Sequence, residues 1–555
     1  MTLQKLDGKT LAEMILQGAQ HLKQNSQMID ALNVFPVPDG DTGTNMNLSM
    51  TSGAEEVRSV DKNHAGTVSK SLSKGLLMGA RGNSGVILSQ IFRGFSKAVE
   101  EKEVLTTKGF AEGLQGGVTT AYKAVMKPVE GTILTVAREA AEASVEIAEN
   151  EPDFLPFMEG VVKIAKESLK GTPELLPVLK EVGVVDSGGQ GLVTIYEGFL
   201  ANLKGEELPD LEETVSMDDM VNAEHHKLNQ DFMNTEDIEF GYCTEFMVKF
   251  EEEKLAENPY DEEAFRRDLS QIGDSLLVVS DEELIKVHVH AEYPGEAMTL
   301  GQKYGSLVNM KIENMREQHT SIVSEKKKAK PQSQKKAEYG IVTVSMGDGI
   351  KKLFESLGAT VVIQGGQTMN PSTQDLSEAI KEASAKRVLV LPNNKNIVMA
   401  AEQAAEIADV EVAVIPSKTI PQGMSAMLGF NPEADIETNK QEMGSLMAEV
   451  KTGQITYAVR DTQIDGLNIE KDHFMGIADG KISVTDKDVL TTAKTLLDQM
   501  IDEDEDEILT ILTGEEVDEK EVADLEAYME ENFEDVEVEI HNGGQPIYSY
   551  IFSIE

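Results

Sequence analysis

Asn33-Val-Phe-Pro-Val-Pro-Asp-Gly-Asp-Thr-Gly-Thr-Asn-Met46 sets two carboxylates, Asp39 and Asp41, on either side of Gly40. Pro36 and Pro38 keep the stretch out of regular structure, because proline fixes its own φ and disfavours helix in the residue before it. Hard cations such as Mg²⁺ take oxygen ligands, typically one or two carboxylates together with substrate phosphates. Gly40 and Gly43 let the backbone approach a phosphate closely. Taken alone, Asp-Gly-Asp reads more readily as an acidic turn, since Asp and Gly are ordinary turn residues.

Three further loops lie in the same region. Gly79-Ala-Arg-Gly-Asn-Ser-Gly85 precedes an apolar-periodic helix over 86–99, with Asn83 or Ser84 expected as its N-cap. The free amides and dipole of such a helix start attract an anion. Lys127-Pro-Val-Glu-Gly-Thr-Ile-Leu134 offers Thr132 at another loop-to-helix junction, and Val185-Asp-Ser-Gly-Gly-Gln-Gly191 adds Asp186 and open backbone. No Walker loop occurs, because Gly-x4-Gly-Lys-Ser/Thr is absent, and no protein-kinase motif set occurs either.

Residues 1 to about 205 read as helical: Leu11, Met14, Ile15, Ala19 and Leu22 recur at helical spacing, and residues 135–149 are rich in Ala and Glu. An acidic connector follows over 205–235. Phe240 to Phe250, Ser275 to Ser280 and Leu284 to His290 read as strands around a helix from Glu262 to Ile272, a small α+β domain. The lysine-rich stretch 324–337 is a linker by composition. From 338 onward short β-rich runs alternate with helices, which predicts βαβ units and a parallel sheet. Further strands are expected near 455–460, 473–484, 507–512, 535–540 and 546–554, and the run 502–507 reads as a solvated acidic loop.

The chain has 555 residues, 40% of them hydrophobic, and a formal net charge of −48. That length suggests roughly three to four domains. The charge repels a duplex and argues against a nucleic-acid partner. A single cysteine, Cys243, excludes an internal disulfide. The first residues lack a signal-peptide layout and no apolar run of about 18 residues occurs, so no transmembrane segment and a cytoplasmic location are expected.

Taken together, the four loops resemble those of the L-subunit, the ATP-binding domain of dihydroxyacetone kinases. Asp-Gly-Asp-x-Gly-x-Asn-Met, here Asp39 to Met46, is the most specific mark. The resemblance implies an all-α helical barrel that holds ATP and two Mg²⁺ ions in loops at one end. Asp39 and Asp41 would hold the metals, with Asn33 nearest to a third, upstream ligand position. Thr42, Gly43, Thr44 and Asn45, with Asn83, Ser84 and Gly85, would hold phosphates. Pro128 to Thr132 and Asp186, Ser187 and Gly188 resemble adenine-side loops. Arg81 is a candidate to neutralise the transferring phosphoryl group, or a structural arginine.

Over its whole length the chain resembles the kinase subunit of bacterial fatty acid kinase. The implied division is an ATP-binding domain over 1–205, an α+β middle domain over 206–323, a linker over 324–337 and an α/β domain over 338–555 that docks a fatty-acid-binding carrier protein. The implied product is an acyl phosphate for phospholipid synthesis, and the implied assembly a homodimer. A fatty carboxylate is ionised at pH 7 and needs no strong base.

In the middle domain, Cys243 lies on one strand, and His288 and His290 alternate onto one face of another. One thiolate and two imidazoles are a Zn²⁺ set with an open fourth position, and the resemblance implies such a site. In the last domain, the loops 365–372, 391–396 and 415–421 follow strands and form either a ligand site, a docking face or ordinary βα loops. Two other readings stand beside the acyl kinase: a dihydroxyacetone-like small-molecule kinase, and a nucleotide-binding regulatory scaffold.

Overall fold

The computed structural model of the chain describes residues 2–34, 40–125, 127–206, 240–251, 254–255, 258–280, 284–314, 336–366, 369–464, 466–502 and 504–555. Two compact units result, one made of residues 1–208 with 336–555 and the other of residues 209–335.

The first part of the larger unit is all helical: α1 (Gly8–Asp30), α2 (Thr42–Ser59), α3 (Ala65–Gly79), α4 (Gly82–Val99), α5 (Thr107–Ala124), α6 (Ile133–Asn150), α7 (Phe154–Leu175), the short α8 (Pro177–Val182) and α9 (Ser187–Lys204). Each long helix packs on the next, and α9 returns to α1, which closes the ring into a barrel. The apolar stripes point inward: Leu11, Met14, Ile15 and Leu22 are all buried. Phe110, Phe154 and Phe157 meet edge to face inside, with centroids 5.9–6.0 Å apart.

The smaller unit runs β1 (Tyr242–Phe250), α10 (Glu262–Leu269), β2 (Gly273–Ser280), β3 (Leu284–Ala291), α11 (Pro294–Gln302) and β4 (Gly305–Asn314). Its antiparallel sheet has the order β2-β3-β1-β4. Phe246, Val248, Val287 and Val289 form the core with Phe265 and Leu269 of α10. The α+β class is as expected from the sequence, which left α11 and β4 unread.

The rest of the larger unit begins with β5 (Ala337–Ser345), α12 (Asp348–Ser356), β6 (Val361–Gln364), α13 (Thr373–Glu382), β7 (Ala385–Leu391), α14 (Val398–Glu406) and β8 (Glu411–Val414). The four strands are parallel, in the order β6-β5-β7-β8. This is the parallel sheet that strand–helix alternation predicts.

After α15 (Ile420–Leu428) and α16 (Ile436–Glu449) come β9 (Lys451–Tyr457), β10 (Thr462–Ile464), β11 (Leu467–Ile469), β12 (Phe474–Ala478), β13 (Lys481–Asp486), α17 (Val489–Met500), β14 (Ile508–Gly514), α18 (Glu519–Asn532), β15 (Glu537–Gln545) and β16 (Tyr550–Ile554). These later strands do not extend the parallel sheet. β10 and β11 pair with each other, and the rest build a second large sheet, β13-β12-β9-β16-β14-β15, antiparallel except for the β14–β15 pair. Two residues join β12 to β13, too few for a parallel crossover. The acidic run is also not wholly solvated: Asp506 is 7% exposed, and its carboxylate accepts from Lys451 Nζ at 2.7 Å.

The barrel and the α/β region share a core. Ala80 and Val86 pack with Leu376, Ile380, Ala400 and Ala404, and α14 lies on α4 while α13 lies on α3. Thr373 N donates to Ala80 O at 3.1 Å and Gln403 Nε2 to Ser89 Oγ at 3.2 Å.

Candidate active site

α2 starts at Thr42, and Asp41 is its N-cap residue. Its carboxylate makes no capping hydrogen bond. The capping is done from the end of α1, where Asp30 Oδ1 accepts from Gly43 N at 2.6 Å and Thr44 N at 3.2 Å, and Oδ2 from Thr44 Oγ1 at 2.8 Å. Burial raises the Asp30 pKa, opposed by the Thr44 and Gly43 hydrogen bonds. Gly43 must be glycine, because a Cβ there would collide with the carbonyl of Ser26 on α1. Asp41 is thereby left for other work, and Asn370 Nδ2 donates to its Oδ2 at 2.5 Å.

Asn33 stands behind this loop. Its Nδ2 donates to Asp30 O at 2.9 Å, and its Oδ1 accepts from Thr42 Oγ1 at 2.7 Å and Ser187 Oγ at 3.5 Å. Asp39 lies outside the described residues.

The second loop turns at Gly82, with φ +57°, and α4 starts there. The N-cap residue is Arg81 rather than the expected Asn83 or Ser84, because the left-handed glycine brings the helix in earlier. Arg81 supplies no side-chain cap. Asn83 and Ser84 fall in the first turn and line the cavity, and Asn83 Oδ1 is buried with no hydrogen-bond partner among the described residues. The Arg81 guanidinium is engaged elsewhere: Nη1 donates to Asn370 O at 2.7 Å, and Nη2 lies 3.4 Å from Asp375 Oδ2.

Thr132 caps α6, accepting from Leu134 N at 3.4 Å. Asp186 caps α9, accepting from Gly189 N at 2.6 Å, while its own N donates to Thr172 Oγ1 at 3.1 Å. Burial pushes the Asp186 carboxyl up to about 6, against hydrogen bonds from Gly189 and Ile133 that lower it.

The N-termini of α2, α4, α6 and α9 therefore open on one cavity of about 780 Å³. Asn33, Asp41, Thr42, Asn45, Asn83, Ser84, Thr132, Asp186, Ser187 and Gly188 line it. Gly43, Thr44, Gly85 and Arg81 are not part of its wall; Gly43 and Thr44 sit on Asp30. Four helix dipoles and their amides favour a polyanion here. Asp41, spared from capping, and the buried oxygen of Asn83 are oxygen donors of the kind a hard cation takes. The residues present thus fit a nucleotide with Mg²⁺.

The opposite wall was not foreseen. Ser345 at the end of β5, with Met346, Gly366, Asn393, Asn394, Lys395, Lys418 and Thr419 from the loops after β5, β6, β7 and β8, line it. The sequence marks three of these loops as a ligand site or docking face, with no signal that they face the nucleotide loops. Arg460 adds a second tie: its guanidinium donates to the carbonyls of Ala31, Asn33 and Val34.

In the middle domain, β1 pairs with β3 so that Cys243 stands opposite His290 and Glu245 opposite His288. His290 is 3% exposed. The side chains of Cys243, Glu245 and His288 and all of His225, His226 and His319 lie outside the described residues. Among the described residues no group of three metal-ligating side chains is gathered, and no helix is long and apolar enough to cross a membrane.

Known proteins agree with this picture. Residues 36–201 match the DAK2 domain, residues 239–322 the FakA-like middle domain of fatty acid kinase, and residues 340–555 the FakA-like C-terminal domain of the same kinase. Protein YloV of Bacillus subtilis (strain 168) is 60% identical over 557 residues, covering 100% of both chains. An uncharacterized protein of Staphylococcus aureus (strain USA300) is 54% identical over the same span, again 100% of both. The dihydroxyacetone kinase from C. freundii, solved with AMP-PNP and Mg²⁺, is 18% identical over 34% of this chain and 33% of that one, with a TM-score of 0.28, too slight a likeness to bear on function. With three matching domains in order and full-length relatives, the chain belongs to the FakA-like family of fatty acid kinase proteins, and it is a kinase.

Proposed function

We propose that the chain transfers the γ-phosphoryl group of ATP to a fatty-acid carboxylate presented by a separate fatty-acid-binding protein, giving an acyl phosphate for phospholipid synthesis. The observation that carries this reading is the convergence of four helix N-termini on one cavity, with the Asp41 carboxylate spared from capping at its edge. A carboxylate oxygen forms the new bond to the γ-phosphorus, the bond to the β-phosphate oxygen breaks, and ADP leaves. The acceptor is already ionised at pH 7, so the site needs no strong base. Mg²⁺ held at this site would supply positive charge that offsets the negative charge of a loose transition state.

The chain's own residues position and neutralise. Asp41, with Asp39 and Asn33, holds two Mg²⁺ ions. Thr42, Asn45, Asn83 and Ser84 face the phosphates, while Gly43 and Thr44 hold the loop on Asp30 and Gly85 lies in the first turn behind it. Thr132 and Asp186 to Gly188 bound the adenine end. Arg81 acts by holding Asn370 beside Asp41. Residues 1–205 carry the nucleotide, 206–323 the middle domain, 324–337 the tether, and 338–555 dock the carrier. The protein works as a cytoplasmic homodimer, which light scattering and cell fractionation would check.

The register of Cys243 opposite His290, beside His288, supports a Zn²⁺ site in the middle domain. Elemental analysis should find zinc in the purified protein and lose it in Cys243→Ala. Full zinc in that variant would remove the site.

The deciding experiment is ATP-dependent phosphate transfer with and without a fatty-acid-loaded carrier, beside Asp41→Ala. Turnover only with the loaded carrier, lost in Asp41→Ala, is expected. Turnover with dihydroxyacetone alone would replace the acyl kinase by a small-molecule kinase. None with any acceptor would favour a nucleotide-binding scaffold.

A further inference from the structure

We infer that the α/β region holds its own oxyanion site, facing the nucleotide loops across the shared cavity, and that it binds a carboxylate or phosphate group. The parallel sheet places it. In the order β6-β5-β7-β8, the chain leaves β5 toward one edge for β6 and returns to the other side for β7 and β8. The crevice beyond the C-terminal ends of β5 and β7 is thus a topological switch point, where open α/β sheets bind ligands.

The residues at that point are prearranged. Asn393 holds a left-handed backbone, φ +55°, which is strained for a non-glycine residue. Its Nδ2 donates to Thr343 Oγ1 at 2.7 Å and Val344 O at 2.9 Å, and its Oδ1 accepts from Ser417 Oγ at 2.7 Å. Asn394 Nδ2 donates to Gly366 O. The end of β5 and the loops after β6, β7 and β8 are laced together by these contacts.

One group inside the lacing is left over. Ser345, the last residue of β5, is 2% exposed, lines the cavity, and its hydroxyl has no hydrogen-bond partner among the described residues. A buried hydroxyl without a partner is costly unless a ligand completes it. Lys395 and Lys418 line the same wall and add positive charge to it, beside one carboxylate from the same region, Asp479, which accepts from Thr452 N at 2.8 Å. A hydroxyl donor that shares a cavity wall with two lysines suits an oxyanion rather than an apolar group.

Binding here does not require phosphoryl transfer, so the inference stands apart from the kinase reading. Calorimetry on the full-length protein, without ATP, would use octanoate as the carboxylate probe and inorganic phosphate as the other. Saturable binding of either probe is expected, and the tighter one names the source of the oxyanion. Ser345→Ala and, separately, Lys418→Ala should each weaken it on the order of tenfold. Lys418 is exposed, so its variant keeps the fold if Ser345→Ala does not. Wild-type affinity in Lys418→Ala and in folded Ser345→Ala, or loss of binding in Asn83→Ala instead, would overturn the site. Either result leaves the carrier-dependent turnover experiment untouched.

Discussion

Asn370 donates its side-chain amide to the carboxylate of Asp41 at 2.5 Å, although 329 residues separate them. Asn370 is 2% exposed, and its backbone carbonyl is gripped by Arg81. The α/β region therefore reaches into the candidate metal site and orients its carboxylate, the role that outer partners play around bound metals.

Asn370→Ala should raise the Mg²⁺ concentration needed for nucleotide binding by about 10-fold or more. Calorimetric titration of ADP at several Mg²⁺ concentrations checks it. Unchanged Mg²⁺ dependence would mean that the contact merely joins the two regions.

Asp30 caps α2 from outside the helix, so Asp30→Ala should destabilise the larger unit by roughly 1–2 kcal/mol. It leaves two amides and the Thr44 hydroxyl without their acceptor. Thermal denaturation would report a lower Tm, and an unchanged Tm would show that α2 finds another cap.

Asp186 supplies a pH signature. Its folded pKa of about 6 lies above the ordinary aspartate value of 3.8. The folded state thus holds the proton more tightly than the unfolded chain. Its contribution to stability is full below about pH 4 and is lost as pH rises through 6. The change amounts to at most about 3 kcal/mol. Asp186→Asn keeps a capping side chain and removes the titration, so its denaturation midpoint should fall less than that of the parent between pH 4 and 6.5.

Arg460 fixes the entrance to the metal loop by donating to three of its carbonyls, those of Ala31, Asn33 and Val34. Burial lowers its pKa. Arg460→Ala should weaken nucleotide binding several-fold, on the order of 1 kcal/mol, and Arg460→Lys should not restore it, because a point ammonium lacks the planar fork. Restoration by lysine would reduce the role of Arg460 to its charge.

Local chemistry explains what could be read in the chain alone. Apolar residues at helical spacing set the barrel helices, and alternation set the strands, because periodicity reports which face is buried. Pro36, Pro38 and the glycines near 40, 82 and 188 marked the loops, since backbone restriction acts within a residue or two. Thr132 was legible at a loop-to-helix junction and Asp186 in an open loop for the same reason, but their capping roles were not, and Gly82 shifted the start of α4 away from Asn83. What tertiary structure decided involves contacts through space that leave no periodic trace. Asp30 displacing Asp41 as the cap of α2 and four helix N-termini meeting at one cavity depend on how the barrel helices close on one another, and Asn370 closing on Asp41 depends on how the barrel meets the α/β region, because buried polar groups must find partners regardless of their distance along the chain.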